Sequence, residues 1–213
     1  MSLLLYGIIA EDVVIDLGCP LWTINVEGLA AIVMTLETEI SREPTFVLAY
    51  GERVTRLHQQ TTLIPMRYGS VLADQSAVEQ HLLEQQVHYQ ARLNALDNCE
   101  EIGVRLLIDD TAEAIVTSVP VSGFQYLLAR KHAYELPASV EQQVDLLNTA
   151  LAGFYRQHSA EQSVFNGQRT YLLSYLVPRA QLETFFESLT AVLKTTKESI
   201  TVSGPWPPYN FIL

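Results

Sequence analysis

Residues 2–10 read SLLLYGIIA, an almost wholly apolar run near the start of the chain. A short apolar run rich in Leu and Ile predicts a buried β-strand. Its apolar part ends at Glu11 and Asp12, whereas a transmembrane helix needs about 20 apolar residues. No basic residue precedes the run, as one would in a signal peptide. We therefore expect a strand here, and neither a membrane span nor a signal peptide.

The segments that follow alternate between strand and helix patterns. Pro44 opens a stretch with apolar residues at three- and four-residue steps, which predicts a helix ending near residues 58–60. A second apolar stripe predicts one long helix and consists of Val78, Leu82, Tyr89, Leu93 and Leu96. Strand patterns occupy residues 21–26, 30–36, 62–68 and 102–108. Pro65 lies inside one of them and indicates a sheet edge or a bulge, because proline donates no backbone hydrogen bond.

Patterns in the second half of the chain are similar. Residues 111–122 are predicted as a strand or a linker, and residues 123–134 as a short helix. The clearest amphipathic helix is predicted over residues 140–158. Asn166-Gly167 separates two strand patterns and favours a tight hairpin. A further helix begins after Pro178, and a short strand at residues 200–202 leads into a terminal tail.

Together these patterns predict an α+β fold of two α/β lobes. Residues 1–110 would form the first domain, with its helices on one face of the sheet, roughly ferredoxin-like. Residues 111–213 would form the second domain, with helices, a small antiparallel sheet and the tail G-P-W-P-P-Y-N-F at residues 204–211.

Charge excludes two classes of partner. The chain has 13 Lys and Arg against 24 Asp and Glu, a net charge of −11. Such a field repels phosphate backbones and anionic lipid headgroups, so we expect neither nucleic acid nor a lipid membrane as a partner. Cys19 and Cys99 lie far apart without metal-ligand spacing, which is typical of a reduced, cytoplasmic protein.

Five stretches carry a resemblance to one family. Leu63-Ile64-Pro65-Met66-Arg67-Tyr68-Gly69 resembles a strand signature of the gas vesicle F/L family, and His58 stands upstream of it. Further stretches that resemble the family lie at Tyr6-Gly7, at residues 101–105 beginning with Glu101, and at residues 122–127. All of them occur along the chain in the family's order. The terminal stretch Gly204-Pro205-Trp206-Pro207-Pro208-Tyr209-Asn210-Phe211 resembles the family's terminal signature, with Asn210 where a Ser is expected.

The resemblance implies a protein that belongs to the gas vesicle as a minor component or assists its assembly. It would act in the cytoplasm, without catalysis, through contacts with the small hydrophobic shell protein and with other accessory proteins. Shell subunits would aggregate through their exposed apolar area, so an accessory protein with matching apolar grooves is physically sensible.

Catalytic and metal-binding patterns are absent from the sequence. We find no phosphate-binding loop, nucleophile elbow, zinc spacing or paired-carboxylate motif, and we expect no cofactor. His81 and His88 are seven residues apart on one predicted helix, but Gln85 occupies the intervening position that a metal ligand would need. We assign the five histidines to solvent-facing or capping roles. An enzyme or a small-ligand sensor on a ferredoxin-like scaffold remains the alternative function.

Arg67 and the terminal tail each allow two interpretations. Arg67 lies in an apolar strand pattern, so it either pairs with Glu100 or Glu101 or recognises a partner; we favour the ion pair. The tail carries Trp206, Tyr209 and Phe211 among prolines that hold the backbone extended. It either docks outward onto a partner or folds back as a clasp. We favour the clasp, seated between the lobes and against the predicted helix of residues 140–158.

Overall fold

A computed structural model describes residues 1–108, 136–165, 167–196 and 200–212 of the chain. It divides into two compact units. Unit 1 consists of Met1–Ile102, Leu176–Arg179 and Gly204–Leu213, and unit 2 of Gly103–Tyr175 and Ala180–Ser203. The predicted boundary near residue 110 falls outside the described residues, as do the strand or linker of residues 111–122 and the helix of residues 123–134. Those limits stay predictions.

Unit 1 is built on a five-stranded sheet, whose strands are β1 (Leu3–Ala10), β2 (Trp22–Val26), β3 (Leu29–Thr35), β4 (Ile64–Pro65) and β5 (Val71–Leu72). They lie in the order β2-β3-β1-β4, and β5 also pairs with β1. Strands β3, β4 and β5 each pair with β1 in antiparallel orientation, and β2 pairs with β3 in the same way. The first strand predicted from the sequence is thus one of the inner strands of the sheet.

Strand β1 contributes to two separate cores, one on each face of the sheet. Leu3, Leu5 and Ile8 belong to one core, and Leu4, Tyr6 and Ile9 to the other. Strict alternation would place residue 7 with Leu5, but the register with β3 shifts between Leu5 and Gly7. This bulge moves Ile8 to the face of Leu5. Because both faces are buried, β1 reads as a continuous apolar run.

Helices cover both faces of this sheet. Helix α1 (Pro44–Gln60) packs against the face of Leu4 and Tyr6 through Tyr50, Val54 and Leu57. Helices α2 (Gln75–Glu84) and α3 (Gln86–Leu96) pack against the opposite face. The α+β class is confirmed, but the expectation of helices on one face is wrong. The predicted long helix is also wrong, because its backbone breaks at Gln85 into α2 and α3.

The second sheet has the strand order β7-β8-β6-β9. Its strands are β6 (Cys99–Leu107), β7 (Gln157–Phe165), β8 (Gln168–Pro178) and β9 (Ile200–Trp206). Two helices accompany it, α4 (Ala138–Leu151) and α5 (Leu182–Thr195). The predicted hairpin appears as the neighbouring pair β7 and β8. The helix predicted over residues 140–158 ends at Leu151, since Gly153 takes a positive φ of 88° and His158 already lies in β7.

No helix within the described ranges is both long and apolar enough to cross a membrane.

Gly7 lies in close contact with Leu63 and with the first residue of β4. A Cβ on Gly7 would collide with Leu63 Cδ1 and lie 2.9 Å from the Ile64 carbonyl oxygen. We predict that Gly7→Ala lowers the free energy of unfolding by about 1–3 kcal/mol through overpacking. Urea unfolding measures this. The matched control is Gly51→Ala in α1, where an added Cβ meets nothing within 4 Å; equal destabilisation by both variants would contradict the packing argument.

Candidate partner-binding groove on the first helix

Helix α1 has a buried face and an apolar exposed face. Pro44 stands at its N-terminus, where the missing N–H costs no hydrogen bond. While Tyr50 and Val54 point into the core, Phe46 is 56% exposed, Val47 42% and Leu48 66%. Three consecutive exposed apolar side chains are unusual on a helix that has already covered a sheet, and they mark a candidate contact surface.

A groove of about 530 Å³ runs along this exposed face. We call it the α1 groove. One wall is α1 and the other is the tail; the lining residues are Val47, Leu48, Gly51, Glu52, Thr55, Arg56, Gln59, Trp206, Pro207 and Tyr209. Trp206 is 49% exposed. The groove therefore joins three residues of the terminal signature to a helix that the sequence motifs did not single out as a site.

The tail that forms this wall is anchored by its last residues. Phe211 is 5% exposed and belongs to the core on the α2 and α3 face. Pro207 and Pro208 are buried. His88 Nε2 lies 3.1 Å from the carbonyl oxygen of Ile212. The clasp interpretation is thus confirmed for Phe211, whereas Trp206 stays half exposed and faces the groove.

Glu101 fixes the tail's backbone. Its buried carboxylate accepts hydrogen bonds from the Asn210 backbone N–H at 2.9 Å and from the Asn210 side-chain amide at 2.6 Å. Charge-assisted bonds of this kind are about twice as strong as neutral ones. Gly204 makes the approach possible: it has φ +109°, and a Cβ there would lie 2.6 Å from the Glu101 carbonyl oxygen. The tail packs into the cores of unit 1 through Phe211 and Tyr209, and the expected seat against the predicted helix of residues 140–158 stays a prediction.

Tyrosines link the strand signature to the groove. The Tyr50 ring stacks on Tyr6 at 4.5 Å and meets Tyr68 edge-on at 5.2 Å between centroids. Tyr209 packs against the same core. Burial raises the pKa of Tyr50, and the neighbouring Tyr209 and Tyr6 raise it further. Burial also raises the pKa of Tyr209 to about 12. Both hydroxyls therefore stay neutral at physiological pH, and that of Tyr50 lies 2.7 Å from each of the carbonyl oxygens of Leu5 and Met66.

The strand signature itself is shorter than predicted. Only Ile64 and Pro65 form β4, which lies at the sheet edge as the proline indicated. The chain then turns, with Ser70 N–H donating to the Arg67 carbonyl oxygen and Gly69 at φ +97°. Tyr68 donates its hydroxyl to the Ser41 carbonyl oxygen at 2.7 Å.

Arg67 does not form the expected ion pair. Its side chain is exposed on this turn, and within the described part of the chain it joins no salt bridge. The carboxylate of Glu100 is bonded to His58 and Arg179, and that of Glu101 to Asn210. The preferred reading is wrong because the strand ends at Pro65, so that Arg67 is never placed in an apolar interior.

A partly buried charge cluster was not predicted from the sequence. Glu100 Oε2 lies 2.9 Å from His58 Nε2, and Glu100 Oε1 accepts from Arg179 Nε at 2.8 Å. Arg179 also donates to the His58 carbonyl oxygen at the end of α1. Burial acts to raise the pKa of Glu100, but the hydrogen bonds and charges of His58 and Arg179 outweigh it and hold the pKa below its usual value. No sequence signal joins positions 58, 100 and 179.

The remaining described histidines take part in packing. His81 Nε2 lies 2.7 Å from the Tyr89 hydroxyl, and the His81 and His88 rings both contact the Tyr89 ring. His158 stacks on Tyr155. The assignment of all histidines to solvent-facing or capping roles is therefore wrong for His58, which is 2% exposed. Among the residues with described placement, no group of His, Cys, Asp or Glu could hold a metal ion.

The fold defines an α+β protein of two units with an apolar surface groove. Comparison with known proteins identifies the family within this class. Residues 2–212 match the family model described as gas vesicle synthesis protein GvpL/GvpF. The chain belongs to this family, and the resemblance seen in the sequence is confirmed.

Individual relatives agree with this assignment. The chain is 24% identical to gas vesicle protein F of Streptomyces sp. (strain CB03234) over 208 residues, which cover 89% of the chain and 87% of that protein. It is 25% identical to gas vesicle protein F1 of Halobacterium salinarum over 224 residues, covering 99% of the chain and 92% of that protein.

Solved structures show the same fold. The crystal structure of gas vesicle protein GvpF from Anabaena sp. PCC7120 superposes with a TM-score of 0.78 at 16% identity, over 100% of this chain and 96% of that one. The crystal structure of GvpF from Microcystis aeruginosa superposes with a TM-score of 0.76 at 16% identity, over 100% and 99% of the two chains. At this identity the likeness concerns the fold.

The tail should contribute to stability through Phe211 and much less through Trp206. We predict that Phe211→Ala lowers the free energy of unfolding by about 3–5 kcal/mol, the usual cost of removing a buried Phe side chain. Trp206→Ala, which removes a half-exposed ring, should cost about 1 kcal/mol or less. Urea unfolding of the isolated chain compares them. A larger loss for Trp206→Ala would refute the division of the tail into an anchor and a groove wall.

Glu100 should make stability depend on acid pH. Its pKa is held below its usual value in the folded chain, so its contribution is complete above the unfolded pKa of about 4.3 and is lost as the pH falls through the folded pKa. Glu100→Gln should cost about 2 kcal/mol at pH 7, because buried His58 and partly exposed Arg179 lose their carboxylate partner, and clearly less at pH 3. Urea unfolding at both pH values tests this, with exposed Asp145→Asn as the control. A cost independent of pH would contradict the proposed pairing.

Proposed function

We propose that this protein is a non-catalytic minor structural or assembly protein of the gas vesicle, which holds the small hydrophobic shell protein in the α1 groove. The observation that carries the proposal is the apolar groove itself, in a chain of the gas vesicle synthesis family. Contacts with other gas vesicle accessory proteins form part of the same proposal.

Hydrophobic burial would supply the binding energy. Val47, Leu48 and Trp206 are all substantially exposed around the groove, and burying one large apolar side chain contributes about 1.5–3 kcal/mol. A small shell subunit exposes apolar area before it enters the wall, and such area drives aggregation. Covering it temporarily in a groove would keep the subunit available for assembly.

The tail wall of the α1 groove is ordered before a partner binds. Pro205, Pro207 and Pro208 restrict its backbone, and the hydrogen bonds that Asn210 donates to Glu101 hold it in place. A wall that is already ordered loses little conformational entropy when a partner binds, which strengthens the contact. The family's terminal signature would thus serve both stability and recognition.

A second cavity favours small-ligand binding as the alternative. It measures about 460 Å³, lies on the other flank of α1, and is lined in part by Met34, Phe46, Tyr50, Arg53 and Tyr68. Arg53 already donates to the Tyr6 hydroxyl at 3.3 Å and to Met34 Sδ at 3.6 Å, which reduces its capacity for a ligand. Native mass spectrometry of the purified chain tests this candidate: a bound small molecule lost in Arg53→Gln would support it.

Co-expression with the shell protein tests the main proposal. Leu48→Glu places a charge in the α1 groove, where its desolvation opposes binding, and should abolish co-purification of the shell protein with the tagged chain. Leu83→Glu is the matched control, since Leu83 is a 49% exposed leucine on α2. Both variants should keep the wild-type unfolding midpoint. Equal co-purification with both variants, or none with the wild type, would contradict the proposal.

A further inference from the structure

The shape of the α1 groove and the side chains that line it favour one kind of secondary structure in the segment that binds there. We infer that its occupant is an amphipathic α-helix of the partner, which crosses α1 at Gly51 and carries a Lys or Arg beside Glu52. This inference rests on the proposed function, because it specifies the segment that the same groove would hold.

Length and direction argue for a helix. The lining residues of α1 run from Val47 to Gln59, about 18 Å at 1.5 Å per residue. They recur at steps of three and four, so the groove follows the axis of α1 over more than three turns. An elongated apolar groove along one helix is the geometry that accepts a second helix through anchors at i, i+3, i+4 and i+7.

Backbone hydrogen bonding argues against an extended segment. The α1 backbone is bonded within its own helix, and of the edge strand β9 only the last residue, Trp206, lines the groove. An extended chain lying against these mostly apolar walls would leave its own N–H and C=O groups without partners, at a cost for each group. A helix satisfies its backbone internally and can offer the groove side chains alone.

Gly51 supplies the crossing point. It is a glycine inside a helix, where it weakens helix formation relative to alanine. An added Cβ would meet nothing within 4 Å, so packing within the chain does not require the glycine. Because the closest distance between two helices depends on the side chains at their contact, a glycine here lets a second helix approach closely.

The charges around the α1 groove indicate which kind of side chain the bound helix carries beside its apolar face. Glu52 and Arg56 both line the groove, but the Arg56 guanidinium donates to the Leu17 carbonyl oxygen at 2.8 Å. Glu52 is exposed and takes part in no ion pair with any residue of described placement. The chain as a whole carries a net charge of −11. A cationic side chain that the arriving helix places beside Glu52 therefore complements that carboxylate and the net negative charge of the chain.

Trp206 provides a direct measurement of occupancy. The chain has two Trp residues, so in a Trp22→Phe background the emission reports Trp206 alone. The probe is a synthetic amphipathic helical peptide of 17 residues, the length of α1, with Lys beside its apolar stripe. Two matched peptides replace Lys by Glu or interrupt the helix with a central Pro. We expect the Lys peptide to shift the emission to the blue and to bind more tightly than either matched peptide.

Gly51→Leu fills the groove and serves as the blocking variant. Its unfolding midpoint should equal or exceed that of the wild type, while its affinity for the Lys peptide should fall at least about tenfold, as for an interface hot spot. Ala191→Leu, on the exposed face of α5, is the matched control and should bind normally. Glu52→Gln should reduce the preference for Lys over Glu peptides. Unchanged binding by Gly51→Leu, or equal binding of the Pro peptide, would overturn the inference.

The two proposals fail in different ways. If the shell protein co-purifies in a Leu48-dependent manner and Gly51→Leu does not release it, the proposed function stands and the inference that a helix occupies the groove is wrong. If the Lys peptide occupies the groove and the shell protein never associates with the chain, the proposed function is wrong and the inference of a helical occupant stands.

Discussion

Burial of β1 on both faces is the constraint on which unit 1 depends. Its alternating side chains enter two different cores, so each face of the sheet has to be covered by helices. The bulge at Gly7 keeps Ile8 and Ile9 in the correct cores after the register shift. Helix α1 covers one face alone, which leaves its own outer surface uncovered. The α1 groove is a consequence of that arrangement.

The tail connects stability to recognition. Phe211 is buried in one core and Tyr209 packs against the other, while Trp206, the last residue of β9, remains half exposed. One short segment thus supplies an anchor and a groove wall. The two readings of the tail, clasp and docking peptide, turn out to apply to different side chains of the same signature.

Polar anchoring in unit 1 is concentrated at the start of β6. Glu100 binds His58 and Arg179, and its neighbour Glu101 binds Asn210. Successive residues of a strand point to opposite faces, so the two carboxylates serve different partners. Buried carboxylates are retained only with such partners, because an unpaired charge would be costly to desolvate. These adjacent residues hold α1, β8 and the tail in their places.

Local patterns were sufficient for the α+β class, the buried strand β1, the edge or bulge at Pro65, the hairpin at Gly167 and the family. Each of these depends on side-chain periodicity or backbone preference within a few residues, which the sequence displays directly. The two-sided helix cover, the His58 cluster and the joining of Trp206 to α1 depended on tertiary structure. They bring together residues far apart in the sequence, such as His58 with Glu100 and Arg179, and no local pattern encodes which distant side chain completes a core, a charge cluster or a groove.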